Sequence, residues 1–215
     1  MFAVVNFQRV PFRSLLIGVI CAIALGACSS DGRELREPGT GGATPRPVPI
    51  PTTTVDMFTN TLDGEFALRS PNVAPASFLP HRYSIAGANI SPELHWRNVP
   101  EGTVELAIVL TDLTAEDQVL WLIAGLDPTS VQLFEGLVPP GATQGENDRG
   151  QIGWSGPSPA PGDDAHSYVF RLFALFEPSG LQGGELAAGT IPDLEAIAHG
   201  VTELVVFYQE FETIG

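Results

Sequence analysis

Apolar residues in the later part of the chain gather into short runs, and three of these run apolar at consecutive positions: 104–111, 119–126 and 168–176. A strand exposed on one face alternates apolar with polar, so unbroken runs of this length predict strands covered on both sides. Shorter strand-like runs fall at 65–69, 94–97 and 203–211. Turn chemistry separates them at Val99-Pro100-Glu101-Gly102, at Asp127-Pro128 and along the Pro/Gly-rich stretch 156–162. One helix is expected over 192–199, with Pro192 in its first turn and Gly200 at its C-terminal cap. No internal repeat is present. The pattern predicts a mainly β domain with a late helix over 56–215, long enough for one hydrophobic core.

The N-terminal segment follows a different rule. Arg9 and Arg13 precede an uncharged stretch, 14–27. Crossing the bilayer takes about 20 residues, so this stretch reads as the apolar part of a secretory signal rather than a span. It ends in Leu25-Gly26-Ala27-Cys28, and small residues just before a cysteine resemble a bacterial lipobox. The resemblance implies cleavage before Cys28 and lipidation of its thiol. Cys21 fits poorly because branched Ile20 precedes it. Glycine, proline and threonine dominate 29–55 without apolar periodicity, as in a flexible-to-extended tether. The expected organisation is a lipoprotein signal over 1–27, a tether over 28–55 and the domain over 56–215, anchored to the cell membrane and facing away from the cytoplasm.

Composition then narrows the partners. Ten basic residues, all arginine, stand against 25 acids for a net charge of −15, and loss of Arg9 and Arg13 with the signal makes it more negative. Such a surface repels nucleic acid and anionic headgroups, so no nucleic-acid partner is expected. With Cys21 removed and Cys28 acylated, no thiol remains for a disulfide or a metal site. His81, His95 and His199 show no metal-ligand spacing, and neither metal nor cofactor is expected. In Gly153-Trp154-Ser155-Gly156-Pro157 a proline stands where a nucleophile elbow needs its last glycine, which removes that hydrolase reading.

Four segments in order carry a wider resemblance: LPHRYSIAGANISPELHWRNVPEGT (79–103), ELAIVLTD (105–112), GENDRGQIGWSGPSPAPG (145–162) and HSYVFRLFAL (166–175). Together they resemble the phosphatidylethanolamine-binding protein family, in its bacterial Raf-kinase-inhibitor-like branch, over residues 64–212. The resemblance implies a β-sandwich with a large central antiparallel sheet, a smaller sheet and one or two peripheral helices. It also implies a small pocket for phosphate-like anions at one end of the central sheet.

On that resemblance Asp112 matches the first aspartate of the pocket loop. A carboxylate ending a buried face must find donors, and an Asx-type turn at the strand end is the other reading. The family's second aspartate falls on Thr114 and its loop proline on Glu116. Its pocket histidine falls on Trp121, whose indole has one N–H and no cationic form, and which reads first as a core tryptophan. His166 and Tyr168 match the second histidine and its tyrosine, two positions apart and so on one side of a strand; His166 also reads as a solvated histidine at a strand entry. Gly156-Pro157 and Pro159 match the loop that walls the pocket, with Trp154 in place of a tyrosine and Ala160 in place of a second proline.

These readings predict a membrane-tethered, non-catalytic module that binds a small anion or phospho-headgroup through a modified pocket. The alternative is a protein-interaction or inhibitor module whose pocket is vestigial. An exported domain would not meet a cytosolic kinase.

Overall fold

A computed structural model describes residues 56–59 and 61–211. The signal segment over 1–27, Cys28 and the whole tether over 28–55 lie outside the described residues.

Among the described residues, eight strands form two antiparallel sheets. They are β1 (Ala67–Arg69), β2 (Leu94–Arg97), β3 (Glu105–Asp112), β4 (Gln118–Leu126), β5 (Gln132–Leu133), β6 (Thr143–Gln144), β7 (His166–Leu175) and β8 (Ala198–Tyr208). The small sheet runs β1-β2-β5 and the large one β6-β4-β3-β7-β8. The three strands predicted to be covered on both sides are thus the three inner strands of the large sheet. Leu106, Ile108, Leu110, Phe170 and Leu172 face inward, toward Leu68, Leu94 and Trp96 of the small sheet. Ala107, Val109, Phe173 and Leu175 face outward and are covered by Leu194 and Ala187 of the helix α1 (Ala187–Ile197). Burying one such aliphatic or aromatic side chain stabilises by about 1.5–3 kcal/mol, so two apolar faces per strand hold the sheet together.

The helix corrects the expectation drawn from Pro192. It begins at Ala187, so Pro192 lies inside it rather than in its first turn, and the intrahelical bond to the Ala188 carbonyl is lost. Ala188 is exposed, so water can satisfy that carbonyl. Gly200 is no cap. Ala198 ends the helix in extended backbone, and the chain passes directly into β8, which therefore starts at Ala198 rather than near 203. The short strands β5 and β6, two residues each, carry no periodic signal and were not predicted.

One irregularity bears on the site. Between Leu110 and Thr111 of β3 the partner register on β4 jumps from Trp121 to Val119, leaving Leu120 as an extra residue in a bulge. Leu120 and Trp121 consequently both pack into the inner core. Along β4, Leu120 rather than Trp121 is the inner-core residue nearer to Asp112.

Candidate functional site

Asp112 ends β3, where it pairs with Gln118 of β4 on one side and Tyr168 of β7 on the other. Its carboxylate does two jobs. Oδ1 accepts the N–H groups of Thr114 and Ala115 at 3.0 and 3.1 Å, an Asx turn that opens the β3–β4 connection. Oδ2 lies 2.8 Å from Nδ1 of His166. The Asx turn is thus present, and the same carboxylate also meets His166. The connection closes through Glu116 and Asp117, both at positive φ (52° and 59°), as a tight hairpin turn requires. Thr114, in the place of the family's second aspartate, accepts the N–H of Ser167 through its hydroxyl at 2.9 Å and ties the turn to β7.

His166 opens β7, two residues before Tyr168, and the rings lie 6.2 Å apart and 25° from parallel. The Asp112 contact holds a proton on Nδ1 and leaves Nε2 without a protein partner among the described residues. Tyr168 is fully buried, and its hydroxyl has neither exposed surface nor a hydrogen-bond partner. The phenol lies close enough to Asp112 for that carboxylate to hold its proton in place, yet makes no aligned bond to it.

The Gly-Pro loop packs against the segment that follows the short 3-10 turn His81–Tyr83. Gly156 donates to Asn89 Oδ1 at 2.9 Å, and the Pro157 carbonyl accepts the N–H of Ile85 at 3.1 Å. Pro157 and Pro159 are buried. Trp154 stacks on Phe170 at 6.1 Å and donates to the Tyr83 carbonyl. Trp121 does not join the Asp112–His166 pair. Its indole N–H donates to Gln144 of β6 at 2.8 Å, its ring meets Trp154 edge-on at 5.4 Å, and it lines a separate cavity of about 170 Å³.

Sequence reasoning missed Arg149. Its side chain runs back along the loop to donate from Nη1 to Ser155 Oγ at 3.1 Å and to the Gly156 carbonyl at 2.7 Å. Burial pushes this half-buried guanidinium below its ordinary value, while Tyr168 and Asp112 act in the opposite direction. Asp112, His166, Tyr168 and Arg149 therefore form one electrostatic cluster. The signal lay inside the GENDRGQ segment quoted above, but nothing in its spacing says that a loop arginine folds toward β3 and β7.

All three tyrosines of the chain are buried and pushed up. Burial, with the Glu135 carboxylate, raises Tyr83 to about 12. Burial and then Asp112 raise Tyr168 further, and burial and then Glu210 raise Tyr208. A raised folded value means that the folded state keeps protons the unfolded state releases. The stability this lends is whole below the ordinary phenol value of about 10 and is lost as pH rises through the folded values. Phenolate absorbance should therefore rise together with unfolding, above pH ~10. A tyrosine titrating near pH ~10 in the still-folded protein would contradict the burial described.

Residues 69–207 match the model of the phosphatidylethanolamine-binding protein family. The chain belongs to that family. Among its relatives is a protein of Mycobacterium tuberculosis named "Putative lipoprotein LppC", 35% identical over 189 residues, which cover 85% of this chain and 89% of that one. A UPF0098 protein of Methanothermobacter thermautotrophicus is 36% identical over 138 residues, 61% of this chain and 90% of its own. The crystal structure of Escherichia coli YbcL, described as a new member of the mammalian family, superposes with a TM-score of 0.64 at 27% identity. That match covers 67% of this chain and 98% of YbcL. The mainly β architecture of two antiparallel sheets is the family's fold. No helix among the described residues is long and apolar enough to cross a membrane.

Proposed function

We propose that the domain is a non-catalytic binding module for a small anion, a free or headgroup phosphate being the chemistry that fits best, held at a membrane by lipid on Cys28. One observation carries the reading: an imidazole oriented by a buried carboxylate stands in the same cluster as a guanidinium that has no acidic partner among the described residues. A hydrogen bond from a charged donor to an oxyanion is worth about 1.5–3 kcal/mol, roughly ten- to a hundredfold in affinity. The imidazole bonds Asp112 and no hydroxyl or thiol among the described residues, whereas covalent catalysis needs a nucleophile in contact with its base. The lipoprotein name of the mycobacterial relative, with the tetrapeptide ending at Cys28, supports the anchor.

Titration calorimetry of the full chain with phosphate, phosphoethanolamine and acetate tests this. Saturable heat is expected, and it should be lost in His166→Ala. If the unaltered protein gives no heat with any of the three, the reading fails. For the anchor, Cys28→Ser should move the protein from the membrane fraction to the soluble one, and an unchanged distribution would count against lipidation.

A further inference from the structure

Asp112 and His166 cannot select an anion by charge alone. With the imidazole protonated the pair is neutral, and with it neutral the pair is negative, in a chain whose net charge is already −15. We propose that Arg149 is the residue that makes the site anion-selective, by presenting the Nε–Nη2 edge of its guanidinium to two oxygens of a small oxyanion such as a phosphate or carboxylate. This rests on the anion-binding reading above and names the group that supplies its charge.

The geometry fits such a role at both ends of the side chain. At the backbone end, the neighbouring Asp148 is clamped to β4, its N–H donating to the Val119 carbonyl at 3.0 Å and its Oδ2 accepting the Val119 N–H at 2.7 Å. Arg149 donates its own N–H to the fully buried Asn147 at 3.0 Å. The root of the side chain is thus fixed beside Gln118–Val119, and Gln118 is the ladder partner of Asp112. At the far end Nη1 gives both of its hydrogens to Ser155 Oγ and the Gly156 carbonyl. Nε and Nη2 make no hydrogen bond to the protein among the described residues and are not sealed from solvent. These two nitrogens form one planar edge, whose parallel N–H groups match a pair of phosphate or carboxylate oxygens.

Other arginines are committed elsewhere. Glu135 pairs with Arg82 at 2.5 Å and Glu195 with Arg171 at 3.0 Å, whereas no carboxylate among the described residues lies within ion-pair distance of Arg149. The groups acting on Tyr168 at the centre of the cluster are Asp112 of β3, Arg149 of the loop and the Tyr208 phenol of β8, so Arg149 is the fixed positive charge there. Holding Nη1 in the loop also spares the entropy of ordering the side chain when the anion binds.

The test uses the full chain with inorganic phosphate and sulfate, and with ethanolamine as a cationic control. Arg149→Gln keeps a donor for the Gly156 carbonyl but removes the charge, and should weaken phosphate binding by about ten- to a hundredfold. Its thermal midpoint should stay close to that of the unaltered protein. Arg149→Lys should recover part of the affinity. If Arg149→Gln binds phosphate as tightly as the unaltered protein, the proposal is overturned while the anion reading stands. If the unaltered protein binds neither anion, or prefers ethanolamine, both fall. A readout that needs no variant is phenylglyoxal labelling followed by peptide mass spectrometry. Saturating phosphate should protect Arg149 but not Arg69 or Arg82, and equal labelling of Arg149 with and without phosphate would overturn the proposal.

Discussion

Gly156→Ala should cost the domain stability and anion affinity together. A Cβ at this position would sit 2.0 Å from the Tyr83 carbonyl oxygen and 2.9 Å from the Ser84 Cα, backbone atoms that cannot rotate aside. Relief requires the loop to lift off the segment around Tyr83 and Ser84. That motion strains the bond from the Gly156 N–H to Asn89 and the one from Ile85 to the Pro157 carbonyl. Overpacking costs about 1–3 kcal/mol, and one buried polar group left unpaired about 1–3 more, so the expected loss is roughly 2–6 kcal/mol. Urea unfolding should show a lower midpoint with an unchanged slope. Phosphate affinity should also fall, because the Gly156 carbonyl is one of the two anchors of Arg149. A variant with the original midpoint would contradict the close approach of loop and segment.

The second large effect separates the core from the site. Trp121→Ala removes one of the largest fully buried side chains, the edge-on contact with Trp154 and the donor to Gln144. Truncating a buried tryptophan costs about 3–5 kcal/mol, and the midpoint of urea unfolding should fall accordingly. The fraction that remains folded should bind phosphate with nearly the original Kd, because the indole bonds Gln144 rather than the Asp112–His166 pair. Lost phosphate binding at undiminished stability would return Trp121 to the site.

Trp121 also shows where a sequence reading stops. Strand periodicity assigns faces by counting in twos, and that count fails at the bulge that puts Leu120 and Trp121 on one side. Where no bulge intervenes the count works: His166 and Tyr168 lie two apart on β7, and Tyr168 faces Asp112 across the ladder. The inner strands were legible for the same reason, since apolar residues at consecutive positions leave no solvent face. The start of α1 was not, because Pro192 reads as a first-turn residue but sits inside the helix. The first half of β8 was not either, since Ala198–Glu203 is partly exposed along its whole length and carries little apolar signal. Arg149 was the hardest to foresee: its role depends on where a loop folds back, and no periodicity records that.

The chain has four histidines, His81, His95, His166 and His199, and among the described residues His166 alone bonds Asp112. His95 contacts Glu93 and His199 contacts Thr103, away from the cluster around Arg149. Nitrogen-15 spectra of the four imidazoles during a phosphate titration therefore contain their own controls. The His166 Nε2 resonance should move and saturate at the Kd found by calorimetry, while the other three rings stay in place. Phosphate that leaves His166 unmoved, or shifts all four rings alike, would contradict anion binding at this cluster.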